Sequence, residues 1–146
     1  MKTVTRSMNI ISRCQAVYRN TCAVEGLSPC QHTLLLAVCR LSGCAQEELA
    51  RDIRLNKSTV ARALAALEER GLVERKTNTT DKRELLVYPT PAAEEILPRV
   101  REVAEEWNTL LTDGIGEEEL AVFYAVLDKM EARARAVTEE MEGERP

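Results

Sequence analysis

The sequence contains few aromatic residues, a single histidine and no long apolar run. Aromatic residues make up 3% of the 146 residues, too few for the stacking platform that binds single-stranded nucleic acids. No apolar run approaches the ~18 residues of a membrane span, and no apolar segment typical of a signal peptide follows the first basic residues. We therefore expect a cytoplasmic protein that has no membrane partner.

Catalytic and metal-binding patterns are also missing from the sequence. His32 is the only histidine, so neither a Ser–His–Asp nor a Cys–His catalytic set can form, and there is no glycine-rich phosphate loop. The five cysteines are an odd number and include no CxxC pair, which is typical of reduced thiols in a cytoplasmic protein. We expect no enzyme activity, no metal site and no cofactor.

The length and charge of the chain indicate one domain with two faces of opposite character. A chain of 146 residues suits a single domain, here 1–146, and the net charge of −4 alone argues against an anionic partner. The charge is unevenly distributed, however. Residues 54–83 hold eight Lys or Arg residues against four acidic ones, whereas residues 94–146 hold six against fifteen. The basic centre can meet an anion while the acidic tail stays away from it.

The first two predicted helices are marked by apolar periodicity and by a cap. Apolar residues recur at steps of three or four from Val4 to Cys22, which predicts an amphipathic helix that ends at Gly26. Residues 28–31, Ser-Pro-Cys-Gln, have the pattern of a capping box with proline at the first helical position. A buried helix should follow and end near Gly43.

The centre of the chain has the pattern of a helix-turn-helix. A short helix is predicted over 46–53, and Asn56 is a good N-cap for a second helix over 57–70 that ends at Gly71. Ala50 lies where the two helices should cross, a place that requires a small side chain.

A β wing and two long helices are predicted to follow. The hydrophobic period changes to that of strands over 72–76 and 84–88, joined by a polar loop over 77–83. A helix from Pro91 to about Thr112 then begins with a cap and a proline, and Pro98 should kink it mildly unless the helix starts later than Pro91.

The last predicted helix carries an apolar stripe over 120–137, and the tail over 142–146 should be frayed. The first helix and the last two have stripes that the central unit cannot cover, which favours a dimer. The predicted fold is mainly α with a small two- or three-stranded β wing. It comprises a winged helix-turn-helix over 29–90 and long N- and C-terminal dimerisation helices over 1–27 and 91–146.

The start of the second helix of this unit and the wing loop hold the candidate DNA-binding residues. Polar and basic side chains there point away from the predicted core, and the first turn of such a helix can enter the major groove. An arginine on the wing can reach the minor groove, held by a neighbouring aspartate such as Asp81. The candidates are Asn56, Lys57, Ser58, Thr59, Arg62, Lys82 and Arg83. A protein-interaction module of the same fold would lack these basic residues.

The sequence resembles the MarR family of bacterial transcription regulators over nearly its whole length. The resemblance is carried by Gly26-Leu27-Ser28, Glu48-Leu49-Ala50, the run 56–62 (NKSTVAR), the run 67–73 (LEERGLV) and Asp81-Lys82-Arg83. It implies a homodimer of winged helix-turn-helix subunits that binds a pseudopalindromic duplex operator, usually as a repressor. Many members of the family release DNA when a small anionic or phenolic effector binds.

Thiol oxidation is the alternative trigger that the resemblance implies. Cys14 lies one turn before Tyr18, a spacing similar to that of the hydroperoxide-sensing branch of the family. On an apolar stripe in mid-helix, however, desolvation should make the Cys14 thiol inert. Cys30 lies in the first turn of its helix, where we expect the helix dipole to lower its pKa. A small-molecule effector is the default expectation, and redox sensing by Cys14 or Cys30 is the alternative.

Overall fold

The computed structural model describes residues 1–144, which form six helices and a small antiparallel sheet. This architecture confirms the predicted mainly α fold with a β wing. The elements in chain order are α1 (Val4–Thr21), α2 (Pro29–Arg40), β1 (Cys44–Ala45), α3 (Gln46–Asp52), α4 (Lys57–Glu69), β2 (Val73–Thr77), β3 (Leu85–Pro89), α5 (Pro91–Thr112) and α6 (Glu117–Gly143).

Local capping signals set where the central helices begin. The Ser28 side chain accepts from the Gln31 N–H while the Gln31 side chain accepts from the Ser28 N–H, so the predicted capping box is confirmed. Asn56 caps α4 as predicted. Between α3 and α4, Arg54 has φ +53° where a glycine is common, and the Leu55 N–H donates to the Ala50 carbonyl at 3.1 Å.

The wing is a three-stranded sheet in the order β1-β3-β2. Val73 pairs with Pro89 and Thr77 with Leu85, so both long strands lie one residue later than predicted and the loop spans 78–84. The short strand β1 pairs with β3 on the other side, at Val87 and Leu86. The sheet thereby joins the segment before α3 to the wing.

The bounds of the outer helices differ from the predictions in three places. The prediction that α1 reaches Gly26 is wrong, because α1 ends at Thr21 and Gly26 lies in a separate turn at φ +71°. Helix α5 spans Pro91–Thr112 as predicted and continues through Pro98, whereas α6 extends the predicted 120–137 at both ends. Residues 142 and 143 are helical, contrary to the prediction of a frayed tail, and 145–146 lie outside the described residues.

The chain divides into two compact units, Met1–Trp107 and the residues from Asn108 onward, with the boundary inside α5. The hydrophobic core lies in the first unit. It is built from leucines and valines of α2, α3, α4 and the first half of α5, and it includes Leu35, Leu49, Leu64 and Val100 with almost no exposed surface. Over residues 1–144, no helix has the length and apolar character needed to cross a membrane.

Candidate nucleic-acid interface

The first turn of α4 is organised by the Asn56 side chain. Its Oδ1 accepts from the backbone N–H of Ser58 at 2.8 Å and of Thr59 at 3.4 Å, and from the Ser58 hydroxyl. These contacts satisfy amides that the start of a helix leaves without partners. Asn56 is therefore engaged in holding the helix start.

The two faces of α4 differ sharply in exposure. Val60, Leu64 and Leu67 are fully buried against the core, whereas Ser58 and Arg62 are exposed on the opposite face. A helix attached on one side and polar on the other can be presented to a groove of DNA. Thr59 is half-buried and faces a cavity of the same unit. It therefore does not share the exposed face of α4 on which Ser58 and Arg62 lie.

Several cations of the basic segment are already paired within the protein. Lys57 Nζ lies 3.0 Å from Glu47 Oε1, with both side chains largely exposed, a type of ion pair that contributes little stability and exchanges readily. Lys76 contacts Glu74 at 3.3 Å and lies 5.3 Å from the centroid of the Tyr88 ring. Arg70 donates to a backbone carbonyl. The basic character of 54–83 is therefore weaker than its formal charge.

Three predicted cations remain open to a partner. Arg62 of α4 and Lys82 and Arg83 of the wing loop are exposed, and their side chains form no ion pair or hydrogen bond with any residue among 1–144. Their distribution over a helix face and a loop matches the two places at which a winged helix meets the duplex.

The wing loop is held by side-chain contacts that the sequence analysis did not identify. Asn78 Oδ1 accepts from the Thr80 N–H and hydroxyl at 3.0 and 2.9 Å, and Asn78 Nδ2 donates to Glu84 Oε2 at 3.0 Å. Asp81 Oδ1 accepts from the backbone N–H of Arg83 at 3.0 Å. The predicted pairing of Asp81 with the Arg83 guanidinium is therefore wrong, and the arginine side chain stays open. Asn78 and Asp81 both occur in polar turns that favour such contacts, which is the signal that could have found them.

A cavity of about 350 Å³ lies behind the first turn of α4. Arg19 of α1 is its only strongly charged lining residue: Nη1 donates to Thr33 Oγ1 at 2.6 Å, while Nε is buried with no partner among the described residues. Burial lowers the pKa of Arg19 from its ordinary value. The lining residues are Ser12, Gln15, Ala16, Arg19, Pro29, Cys30, Thr33, Ile53, Leu55 and Thr59. The row Ser12, Gln15, Arg19 has helical spacing and could have been noticed in the sequence.

The two candidate redox cysteines lie in different surroundings from those predicted. Cys14 is exposed on α1, so the expected desolvation of this residue is wrong for the chain as described. Cys30 is half-buried in the cavity wall, and burial raises the pKa of its thiol. The prediction of a lowered pKa is wrong because burial disfavours the charged thiolate.

Residues 1–144 contain a single histidine and several possible metal ligands. His32 is fully buried in the core, and its pKa is lowered by burial and by the nearby Arg19. Among residues 1–144, no group of three or more His, Cys, Asp or Glu side chains is arranged to hold a metal ion.

Comparisons with known proteins agree with this geometry. A model of the MarR family matches residues 25–84, which include α2 to α4 and most of the wing. The HTH-type transcriptional regulator BilQ from Clostridium symbiosum is 26% identical over 106 residues, which cover 73% of this chain and 74% of the relative.

Solved structures extend the similarity to almost the whole chain. The crystal structure of MarR superposes with a TM-score of 0.86 at 29% identity, over 95% of each chain. A putative MarR family regulator from Listeria monocytogenes, crystallised with a 26mer DNA, superposes with a TM-score of 0.89 at 23% identity, over 100% of this chain and 98% of that one.

Proposed function

We propose that the chain is a DNA-binding transcription regulator of the MarR family, and that it is a repressor that binds a pseudopalindromic operator as a homodimer. The observation that carries this proposal is the set of open cations: Arg62 on the exposed face of α4, and Lys82 and Arg83 on the wing. Arg62 suits a guanine edge in the major groove, and the wing cations suit phosphates or the minor groove. We assign DNA binding to 29–90 and dimerisation to 1–27 and 91–146, in a cytoplasmic protein.

Exposed apolar side chains on the terminal helices support a homodimer. In the first unit, α1 has no buried residue and exposes Met8, Ile10 and Ile11. In the second unit, α6 also has no buried residue and exposes Phe123 and Val126. Apolar faces of this extent are typical of surfaces that a second copy covers.

The cavity behind α4 supports release by a small anionic effector. Arg19 offers a guanidinium whose Nη1 donates to Thr33 and whose Nε has no partner among the described residues, and a carboxylate is the group that such a fork binds best. Thr59 of α4 lines the same cavity, so an occupant contacts the helix that carries Arg62. A ligand that binds more tightly when α4 is displaced from its DNA-bound position will shift the protein away from the DNA-bound state.

Two experiments, operator selection followed by effector release, test the proposal. Purified protein is used to select from a random duplex pool, and we expect a sequence with two related half-sites. The complex is then challenged with aromatic carboxylic acids. Release should occur with the wild type and be lost in Arg19→Gln, while Arg13→Gln, an exposed arginine of α1 outside the cavity, keeps it. Selection without any preferred sequence would contradict the proposal.

Oxidation of Cys14 is a second candidate trigger, favoured by the exposure of this thiol one turn before Tyr18. An organic hydroperoxide would oxidise the thiolate to a sulfenic acid and leave as the alcohol. If hydroperoxide releases wild-type protein and Cys30→Ser but not Cys14→Ser from the operator, Cys14 is the sensor. If the wild type stays bound at doses that oxidise an exposed model thiol, oxidation is not the trigger.

A further inference from the structure

Arg75, in the middle of β2, is the basic residue of the wing that is most enclosed by the protein. Only 19% of its side chain is exposed. Glu68, in the last turn of α4, accepts three of its hydrogen bonds: from the backbone N–H at 3.1 Å, from Nε at 3.1 Å and from Nη2 at 2.8 Å. Nη1 lies 3.4 Å from Gln46 Oε1 of α3. One guanidinium thus joins α3, α4 and β2.

This arrangement makes Arg75 unsuitable for contact with DNA. Its Nε, Nη1 and Nη2 groups all donate within the protein, and the bonds from Nε and Nη2 both go to Glu68 Oε2, where the two opposite charges strengthen them. The same hydrogen bonds lower the pKa of Glu68 from its ordinary value, so the carboxylate is charged at neutral pH. Taking Arg75 to a phosphate would leave that carboxylate without its partner.

The position of Arg75 along β2 explains why its contact with Glu68 can orient the wing. Val73 is buried at the base of the strand and Arg75 is half-buried, whereas Lys76 and Thr77 are exposed. Arg75 is therefore the last residue of β2 that is tied to the helices before the loop 78–84 begins. Beyond it, the pairing of β2 with β3 is the main support of the wing.

We propose that Arg75 is a positioning residue that, through Glu68, holds the wing at a fixed place relative to α4. The inference rests on the proposed function, in which Arg62 and Arg83 contact one operator together. Because Arg62 lies on α4 and Arg83 on the wing loop, their spacing depends on how α4 and β2 are joined. Fixing that spacing before binding reduces the ordering that the complex would otherwise require.

Substitutions of Glu68 separate positioning from simple electrostatics. Glu68→Gln removes a negative charge, so electrostatics alone would strengthen DNA binding. Positioning predicts the opposite, a loss of affinity for the selected operator of about tenfold, the order expected when one aligned contact is lost. Glu68→Asp keeps the charge but withdraws the carboxylate, and it should weaken binding as well. Glu69→Gln, at the neighbouring exposed residue, is the matched control and should not weaken binding.

Hydrogen exchange of the free protein supplies a readout that does not need DNA. Amides of β2 and β3 should exchange several times faster in Glu68→Gln than in Glu69→Gln, because the wing has lost its attachment to α4. Equal exchange in the two variants, or operator affinity as tight in Glu68→Gln as in Glu69→Gln, overturns the inference. If wild-type protein selects no operator, the proposed function fails, whereas the exchange result still decides whether Arg75 and Glu68 hold the wing.

Discussion

Arg62 projects from the exposed face of α4 while Val60 and Leu64, close by in the sequence, anchor that helix in the core. Because the helix is fixed on one side, a side chain on the other can reach a base edge with little loss of freedom. Arg62→Ala should cost ~1–3 kcal/mol of operator binding and relax the preference at one base pair of each half-site. Binding to the selected operator and to its single-base variants measures both effects.

Arg101→Ala is the control for this prediction, because it removes one exposed positive charge on α5. We expect it to leave the base preference unchanged. Equal losses for the two variants, with the same sequence preference, would mean that Arg62 acts only through its charge.

The buried His32 predicts a loss of stability on acidification. Its ring nitrogens have no hydrogen-bond partner among the described residues, and burial, together with the charge of Arg19, lowers its pKa in the folded state. The unfolded chain binds the proton near pH 6.5, so the free energy of unfolding is highest above that pH and falls as the pH drops toward the lowered folded pKa.

Urea denaturation between pH 7.5 and 5.5 should show this loss in the wild type, and His32→Leu, which has no group to protonate, should show less of it. If both proteins lose the same free energy of unfolding over this range, His32 is not the responsible group.

Among the elements, the wing loop 78–84 is stabilised by hydrogen bonds within the loop and carries the exposed cations Lys82 and Arg83. Arg83 is fixed through its backbone N–H by Asp81, which leaves the guanidinium exposed. Arg83→Ala should therefore weaken operator binding and reduce the slope of log K against log salt by about one unit, the value for one lost phosphate contact. Filter binding at several salt concentrations measures it. No change in either quantity would remove the wing from the interface.

The helices could be predicted from the sequence because their signals are local. The capping box at Ser28 and the cap at Asn56 each act within three residues, and both helices begin where predicted. Strand β1 could not be located in this way. Cys44 and Ala45 carry no strand pattern, and they are a strand only because they pair with Val87 and Leu86, far along the chain.

The candidate interface could be predicted where it depends on the face of one helix, as for Ser58 and Arg62. It could not be predicted where it depends on pairing across elements. A count of charges includes Arg75 among the cations available to DNA. Its guanidinium is instead bound to Glu68 across the turn between α4 and β2 and is not available to a phosphate. The cavity around Arg19 is likewise assembled from α1, α2, α4 and the turn before α4.

In the molecule as a whole, α1 and α6 each expose several apolar side chains that the described residues of one chain leave uncovered. An obligate dimer that covers them should bury more than ~2,000 Å² in total. Sedimentation equilibrium at micromolar concentration should give twice the 16.4 kDa mass of the chain. A monomer under these conditions would contradict the proposed homodimer.

The net charge of the chain is −4, which disfavours binding to the polyanion DNA. In this account, binding therefore depends on the exposed cations of α4 and the wing. The most direct test is fluorescence anisotropy of wild-type protein on the selected operator and on a scrambled duplex, from 50 to 300 mM salt. Affinity should fall steeply with salt for both duplexes, and the operator should bind at least ~10³-fold more tightly at physiological salt. Equal affinity for the two duplexes, or no binding to either at low salt, would contradict the assignment of this surface to sequence-specific DNA recognition.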